Sequence, residues 1–125
     1  MELNSMNPEQ QDPVGQTLGT IRSVRDFQLG GKRVFLRLDL NVPLNAINDA
    51  GVRTVADDTR IREALPTLQH CFEAGARVLI ATHLGRPDGK REESNSLEPV
   101  ALHLADLLKV DVTLAADCVG EGIEL

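Results

Sequence analysis

Tryptophan and tyrosine are absent from this chain, and phenylalanine occurs only three times. Any core must therefore be aliphatic. Cysteine is scarce too: Cys71 and Cys118 are the only two, with no C-x-x-C or Cys/His cluster around either. That excludes a zinc site and leaves two free thiols, as in a cytosolic protein. Positive charge is in deficit. The formal net charge of −6 excludes a general nucleic-acid or anionic-membrane surface, so any basic site is a local concentration in an acidic chain. No apolar run approaches the length of a membrane span, and MELNSMNPEQQDPVGQ lacks the basic-then-apolar pattern of a signal peptide. A soluble, cytoplasmic chain is expected. The phosphate loops G-x-x-x-x-G-K-[ST] and G-x-G-x-x-G are missing, so ATP or NAD would not be handled through them. No Ser-His-Asp arrangement can be argued.

What is present fits one globular domain at most: 125 residues, 42% apolar and 26% charged. Residues 1–19 are rich in Gln, Asn, Pro and Gly without periodicity and read as a flexible leader. The domain is expected over 20–125. After Gly30-Gly31, VFLRLDL (34–40) reads as a first strand. Its Leu36, Leu38 and Leu40 share one face, and Arg37 and Asp39, with Asn41 beyond, share the other. Pro43 stops it. A loop over 43–56 leads to a helix that Asp57 or Asp58 can cap. Ile61, Leu65, Leu68 and Phe72 form its apolar stripe, with Cys71 packing at its border. Pro66 conflicts with that pattern and implies a late start or a bend. Gly75 stops the helix.

VLIAT (78–82) reads as a strand buried on both faces. Ser96 is a cap for a second helix, with Pro99 tolerated in its first turn and a stripe of Leu97, Val100, Ala101, Leu104, Leu107 and Leu108. Val110, Val112 and Leu114 alternate as a third strand. Strand, helix, strand, helix, strand implies an α/β fold, a parallel sheet of right-handed βαβ units. Ligands of such sheets sit beyond the carboxyl ends of the strands. Asp39 and Asn41, then Arg60, then His83 and Arg86 should gather on that rim.

Each candidate has a plain alternative. Arg60 in a first helical turn faces the positive end of the helix dipole, unfavourable by about 0.3–1 kcal/mol. Either Asp57 and Asp58 neutralise it, or it is aimed at an anion held at the rim. His83 and Arg86 share one tight loop, where a guanidinium suits bidentate contact with phosphate or carboxylate and Gly85 lets backbone approach a ligand. Asp39 and Asn41 are either a solvated strand face, with Arg37 pairing Asp39, or a hydroxyl acceptor beside an amide donor. His70 and His103 lie within the helices and read as structural.

V-F-L-R-L-D-L-N-V-P resembles the signature of the phosphoglycerate kinase family, R-x-D-x-N-[small]-P. D-D-T-R-I, H-L-G-R-P and S-L-E-P-V-A-L-H-L follow in the family's order, and the likeness runs from about Ser23 to Gly120. The resemblance implies reversible, glycolytic phosphoryl transfer between ATP and 3-phosphoglycerate by two Rossmann-like, three-layer α/β domains. The amino-terminal domain holds 3-phosphoglycerate or 1,3-bisphosphoglycerate, and the carboxyl-terminal domain holds Mg-ATP or Mg-ADP.

By the same resemblance, Asp39, Leu40 and Asn41 look like substrate-binding residues. His83, Leu84, Gly85 and Arg86 look like part of the patch gripping the non-transferred phosphate. Arg60 looks like the transition-state arginine. The chain departs from the family in a slightly longer loop over 44–56 and in lacking the Glu-Asn-x-Arg-Phe motif and the nucleotide domain. It is expected to be part of an amino-terminal domain, inactive by itself, from an enzyme that is monomeric when whole. The alternative is a non-catalytic binding or interaction fragment for a small phosphorylated acid.

Overall fold

The computed structural model describes residues 21–121, so the leader expected over 1–19 lies outside them. Strands β1 (Arg33–Arg37) and β2 (Arg77–Ala81) pair in parallel, with helix α1 (Thr59–Glu73) between them and helix α2 (Glu98–Leu108) after them. In the register, Arg33 lies opposite Arg77, Phe35 opposite Leu79 and Arg37 opposite Ala81. One further bond, from Leu38 N–H to the Ala81 carbonyl at 3.1 Å, carries the pairing past the end of β1.

The chain arrives at β1 through a short 3-10 turn, Val24–Asp26, closed by a capping box. Ser23 Oγ accepts the Arg25 N–H, and the Asp26 carboxylate accepts the Ser23 N–H at 2.6 Å. The S-x-x-D spacing that permits this reciprocal pair was visible in Ser23-Val24-Arg25-Asp26.

Helix α1 begins at Thr59, well before Pro66, and runs through it. The late start expected from the proline is not found. Proline deprives the carbonyl four residues earlier of its donor, but Pro66 and Arg62 both lie on the exposed side, where water can replace that bond. Ile61, Leu68 and Cys71 are completely buried, whereas Phe72 keeps 38% of its surface exposed. The stripe therefore ends on Cys71 rather than Phe72. Gly75, at φ 78°, reverses the chain: its N–H bonds the Phe72 carbonyl and the Ala76 N–H bonds the Cys71 carbonyl. That paired closure needs a left-handed residue, which glycine adopts without a steric penalty.

A single core joins Leu40, Val42, Ile61, Leu68, Leu84, Val100 and Leu104, with Leu36, Leu38, Val78 and Ile80 packed against it. Leu40, Val42 and Leu84 come from the segments leaving the strands, so the core lies directly beneath the carboxyl rim. It covers one face of the sheet. The other face leaves Phe35 70% and Leu79 44% exposed, which corrects the expectation that VLIAT is buried on both sides. Among the described residues the sheet carries helices on one face.

The third strand is not formed either. Residues 111–115 have no regular structure, and Val110 and Leu114 are exposed. An alternating sequence becomes a strand only when a neighbour accepts its backbone bonds, and the β1–β2 sheet offers it no pairing. The loop over 43–56 is more ordered than expected. Leu44 and Val55 make an antiparallel bridge, and Asn48 Oδ1 accepts the N–H groups of Ala50 and Val52. Arg53 Nη1 then ties this arm to the Ser94 carbonyl at 2.6 Å.

Burial pushes the Cys71 thiol up from its usual range, while Cys118 is exposed. A thiol-disulfide reagent such as Ellman's should therefore label one cysteine quickly and the other only when denaturant opens the core. Two fast thiols in buffer would show that α1 is not packed as described.

Candidate functional site

Two hydrogen bonds join the segments that leave the strands. The Leu40 N–H donates to Thr82 Oγ1 at 3.1 Å, and the Gly85 N–H donates to Asn41 Oδ1 at 3.1 Å. Leu40 and Leu84 anchor both segments from below, at 2% and 7% exposure. Their side chains face the core, so only their backbone is available to a ligand. With its Oδ1 occupied, Asn41 presents its side-chain NH₂ group.

Arg60 reaches back from the first turn of α1 across this junction. Its Nη1 lies 3.0 and 2.9 Å from the two Asp39 carboxylate oxygens and 3.0 Å from the Asn41 carbonyl. Asp39 thus pairs with Arg60 rather than with Arg37. Neither Asp57 nor Asp58 bonds Arg60, although the Arg60 charge reaches Asp57. The Thr59 side chain foremost, and then the Thr59 N–H, which Asp57 Oδ1 accepts at 2.8 Å, hold the Asp57 carboxyl below the usual range. Asp58 is the N-cap residue but makes no capping bond. It bonds Arg62 Nε at 2.9 Å and His103 Nε2 at 2.9 Å, and these partners, Arg62 foremost, lower its carboxyl as well.

His83 and Arg86 are exposed on the loop after β2 and have no hydrogen bond or ion pair among the described residues. Gly85 between them adopts φ 63°, and a Cβ there would collide with the Asn95 side-chain amide. The close approach that glycine permits is thus to Asn95. Asn41 bonds the loop on one side, and the Asn95 side chain lies close against it on the other.

Asp39, Asn41, Arg60 and Gly85 are linked by direct bonds. His83 and Arg86 ride on the same loop with no bond to Arg60. Thr82, Asn95 and His103 were not singled out as site residues in the sequence. A polar residue closing the apolar run VLIAT was a usable signal for Thr82; His103 has its partner 45 residues away, and Asn95 meets Gly85 by close approach rather than by a bond that a motif could signal. Among the described residues no group of three or more His, Cys, Asp or Glu could hold a metal ion. A shallow groove of about 450 Å³ beside β1, lined by Val24, Phe27, Leu29 and Phe35 among others, lies away from this rim.

The fold and rim define a class: an α/β unit with cationic side chains placed past the carboxyl ends of parallel strands. A family model for phosphoglycerate kinase matches residues 24–125, and the chain belongs to that family. A phosphoglycerate kinase of Solibacter usitatus is 51% identical over 102 residues, covering 82% of this chain and 26% of its own length. One of Anaeromyxobacter dehalogenans is 49% identical over 106 residues, with coverages of 83% and 26%. The phosphoglycerate kinase structure from Coxiella burnetii superposes with a TM-score of 0.61 at 44% identity, over 69% of this chain and 21% of that one. The chain spans about a quarter of the length of the curated relatives it matches.

Gly85→Ala should lower the melting temperature and disturb the amide signals of Asn41 and Asn95, since both strain and collision oppose it. An unchanged melt would mean that the loop is not clamped. The lowered carboxyls of Asp57 and Asp58 set the sign of the acid response. A depressed carboxyl stabilises the fold above its unfolded range, about pH 4, and that stability is lost as pH falls through the folded value. Melting temperature should therefore drop below about pH 4. Asp58→Asn should flatten the drop in part, because Asp57, Asp106 and Asp117 are depressed too. Thermal melts across the acid range check this.

Proposed function

We propose that this chain supplies the 3-phosphoglycerate side of a phosphoglycerate kinase, a phosphotransferase acting between 3-phosphoglycerate and ATP. The observation that carries the reading is the posture of Arg60, drawn over the rim by Asp39 and the Asn41 carbonyl. Arg60 and Asp39 are 52% and 64% exposed. Such an exposed pair holds with roughly 0–1 kcal/mol. A phosphate carries more charge than a carboxylate and can take a guanidinium in two parallel bonds. An arriving phosphorylated acid can therefore draw Arg60 off Asp39, freeing the carboxylate to accept a substrate hydroxyl while the Asn41 NH₂ group donates to an oxygen. His83 and Arg86, without partners among the described residues, can grip the phosphate that does not react.

During transfer, negative charge spreads over the phosphoryl oxygens, and a guanidinium beside them stabilises it. The described residues offer neither a metal-ligand cluster nor a glycine-rich phosphate loop for the magnesium nucleotide, so no step is assigned to this chain at that end.

The reading is tested by titrating 3-phosphoglycerate into the ¹⁵N-labelled chain. Shifts are expected at Asn41, Arg60, His83 and Gly85 and should fade with Arg86→Ala; an unresponsive rim overturns the reading. With this segment joined to the remainder of a family member, Arg60→Ala should lower kcat by on the order of 10³–10⁵. Arg86→Ala should act mainly on KM, because its contact is the same in ground and transition states. Near-normal kcat in Arg60→Ala would remove the catalytic assignment.

A further inference from the structure

We propose that His103 is a positioning residue for Arg60, acting through Asp58 at the start of α1; this rests on the role given to Arg60 above. Arg60 is the second residue of α1, and its reach to Asp39 depends on where that first turn sits. From its own side the turn is held by Ile61, buried in the core, and by the Thr59 N–H bond to Asp57 Oδ1 at 2.8 Å, neither of which fixes the Asp58 side chain. The N-cap side chain makes no capping bond, and Arg62, which pairs with Asp58, moves with the helix itself. His103 is different because it comes from α2. Its Nε2 lies 2.9 Å from Asp58 Oδ2, so the ring ties the start of α1 to another element.

That element is firmly seated, since Val100 and Leu104, on the same helix, are each 2% exposed in the shared core. The contact is also more sheltered than the ion pairs among the described residues. His103 and Asp58 are 32% and 24% exposed, against 52% and 64% for Arg60 and Asp39. The first turn of α1 is thus fixed between α2 and the segment leaving β1. Asp58 is two residues from Arg60, so slack in this tie passes to the guanidinium. A displacement near 1 Å in a positioned group can cost about 10²-fold in rate.

The test reads Arg60 directly. The Arg60 Nε–H signal of the ¹⁵N-labelled chain is assigned by its loss in Arg60→Ala and followed in His103→Ala, His103→Gln and Asp58→Asn, with folding checked by circular dichroism. His103→Ala and Asp58→Asn should shift and broaden the signal, and His103→Gln, whose amide can still donate to Asp58, should restore it. Should His103→Ala fail to fold, Asp58→Asn and His103→Gln still decide the question. For 3-phosphoglycerate, His103→Ala should weaken binding on the order of tenfold with Arg60 present. In the Arg60→Ala background it should have no effect, because a residue acting through Arg60 has nothing left to position. An unmoved Arg60 signal in folded variants, or equal losses in both backgrounds, overturns the proposal. A wild-type chain that ignores 3-phosphoglycerate overturns the functional reading instead, and the Arg60 signal still decides whether His103 positions it.

Discussion

The rim depends on β1 and β2 ending at the same level. Parallel pairing with Arg37 opposite Ala81 releases both chains side by side, in the same direction. Only then can Asn41 accept the Gly85 N–H and Thr82 the Leu40 N–H. A slip of one residue would turn Asp39 into the core and Leu40 out to water, because side chains alternate along a strand. The packing of Leu40 and Leu84 opposes that slip. Core packing and site geometry are therefore enforced by the same residues, alternating inward and outward along a short stretch of chain.

Charge at the rim is local, against an acidic whole. A net charge of −6 repels an anionic ligand at long range. At physiological ionic strength that field is screened within about 8 Å. In the role proposed for the rim, the ligand there meets His83 and Arg86, which have no partners among the described residues, and Arg60, which is held by an exposed pair and the Asn41 carbonyl. The order of these tethers matters. On that reading Arg86, on the loop after β2, can engage first, whereas Arg60 must exchange one carboxylate for another anion. Its present bonds keep it extended over the junction, so little reorganisation is needed when that exchange occurs.

The alternation of RLDLNVP was legible because it is a covalent property of an extended chain. So were the stop at Gly75 and the gathering of Asp39, Asn41, Arg60 and the loop after VLIAT, which follow from βαβ topology. Partner choice was not legible. Asp58 could have capped its helix, paired with Arg60, or bonded elsewhere, and it bonds His103, 45 residues away. Arg60 found Asp39, 21 residues back, rather than the acids beside it. The missing third strand has the same origin. Alternation in Val110, Val112 and Leu114 records a suitable side-chain order but cannot supply the neighbouring backbone. The apolarity of VLIAT likewise records what that segment tolerates, not what covers it.

The uncovered face of the sheet has an order of its own. Arg33 and Arg77 stand abreast at one end, Phe35 and Leu79 in the middle, and Arg37 opposite Ala81 at the other. Like charges directly opposite one another weaken a strand pair. Here they also act as gatekeepers. Two copies that met face to face over Phe35 and Leu79 would bring arginines near arginines at the ends of the face, and a sliding approach would bury charge against aromatic or aliphatic surface. The arginines thereby discourage stacking of bare sheets, one of the ways in which exposed β-structure aggregates.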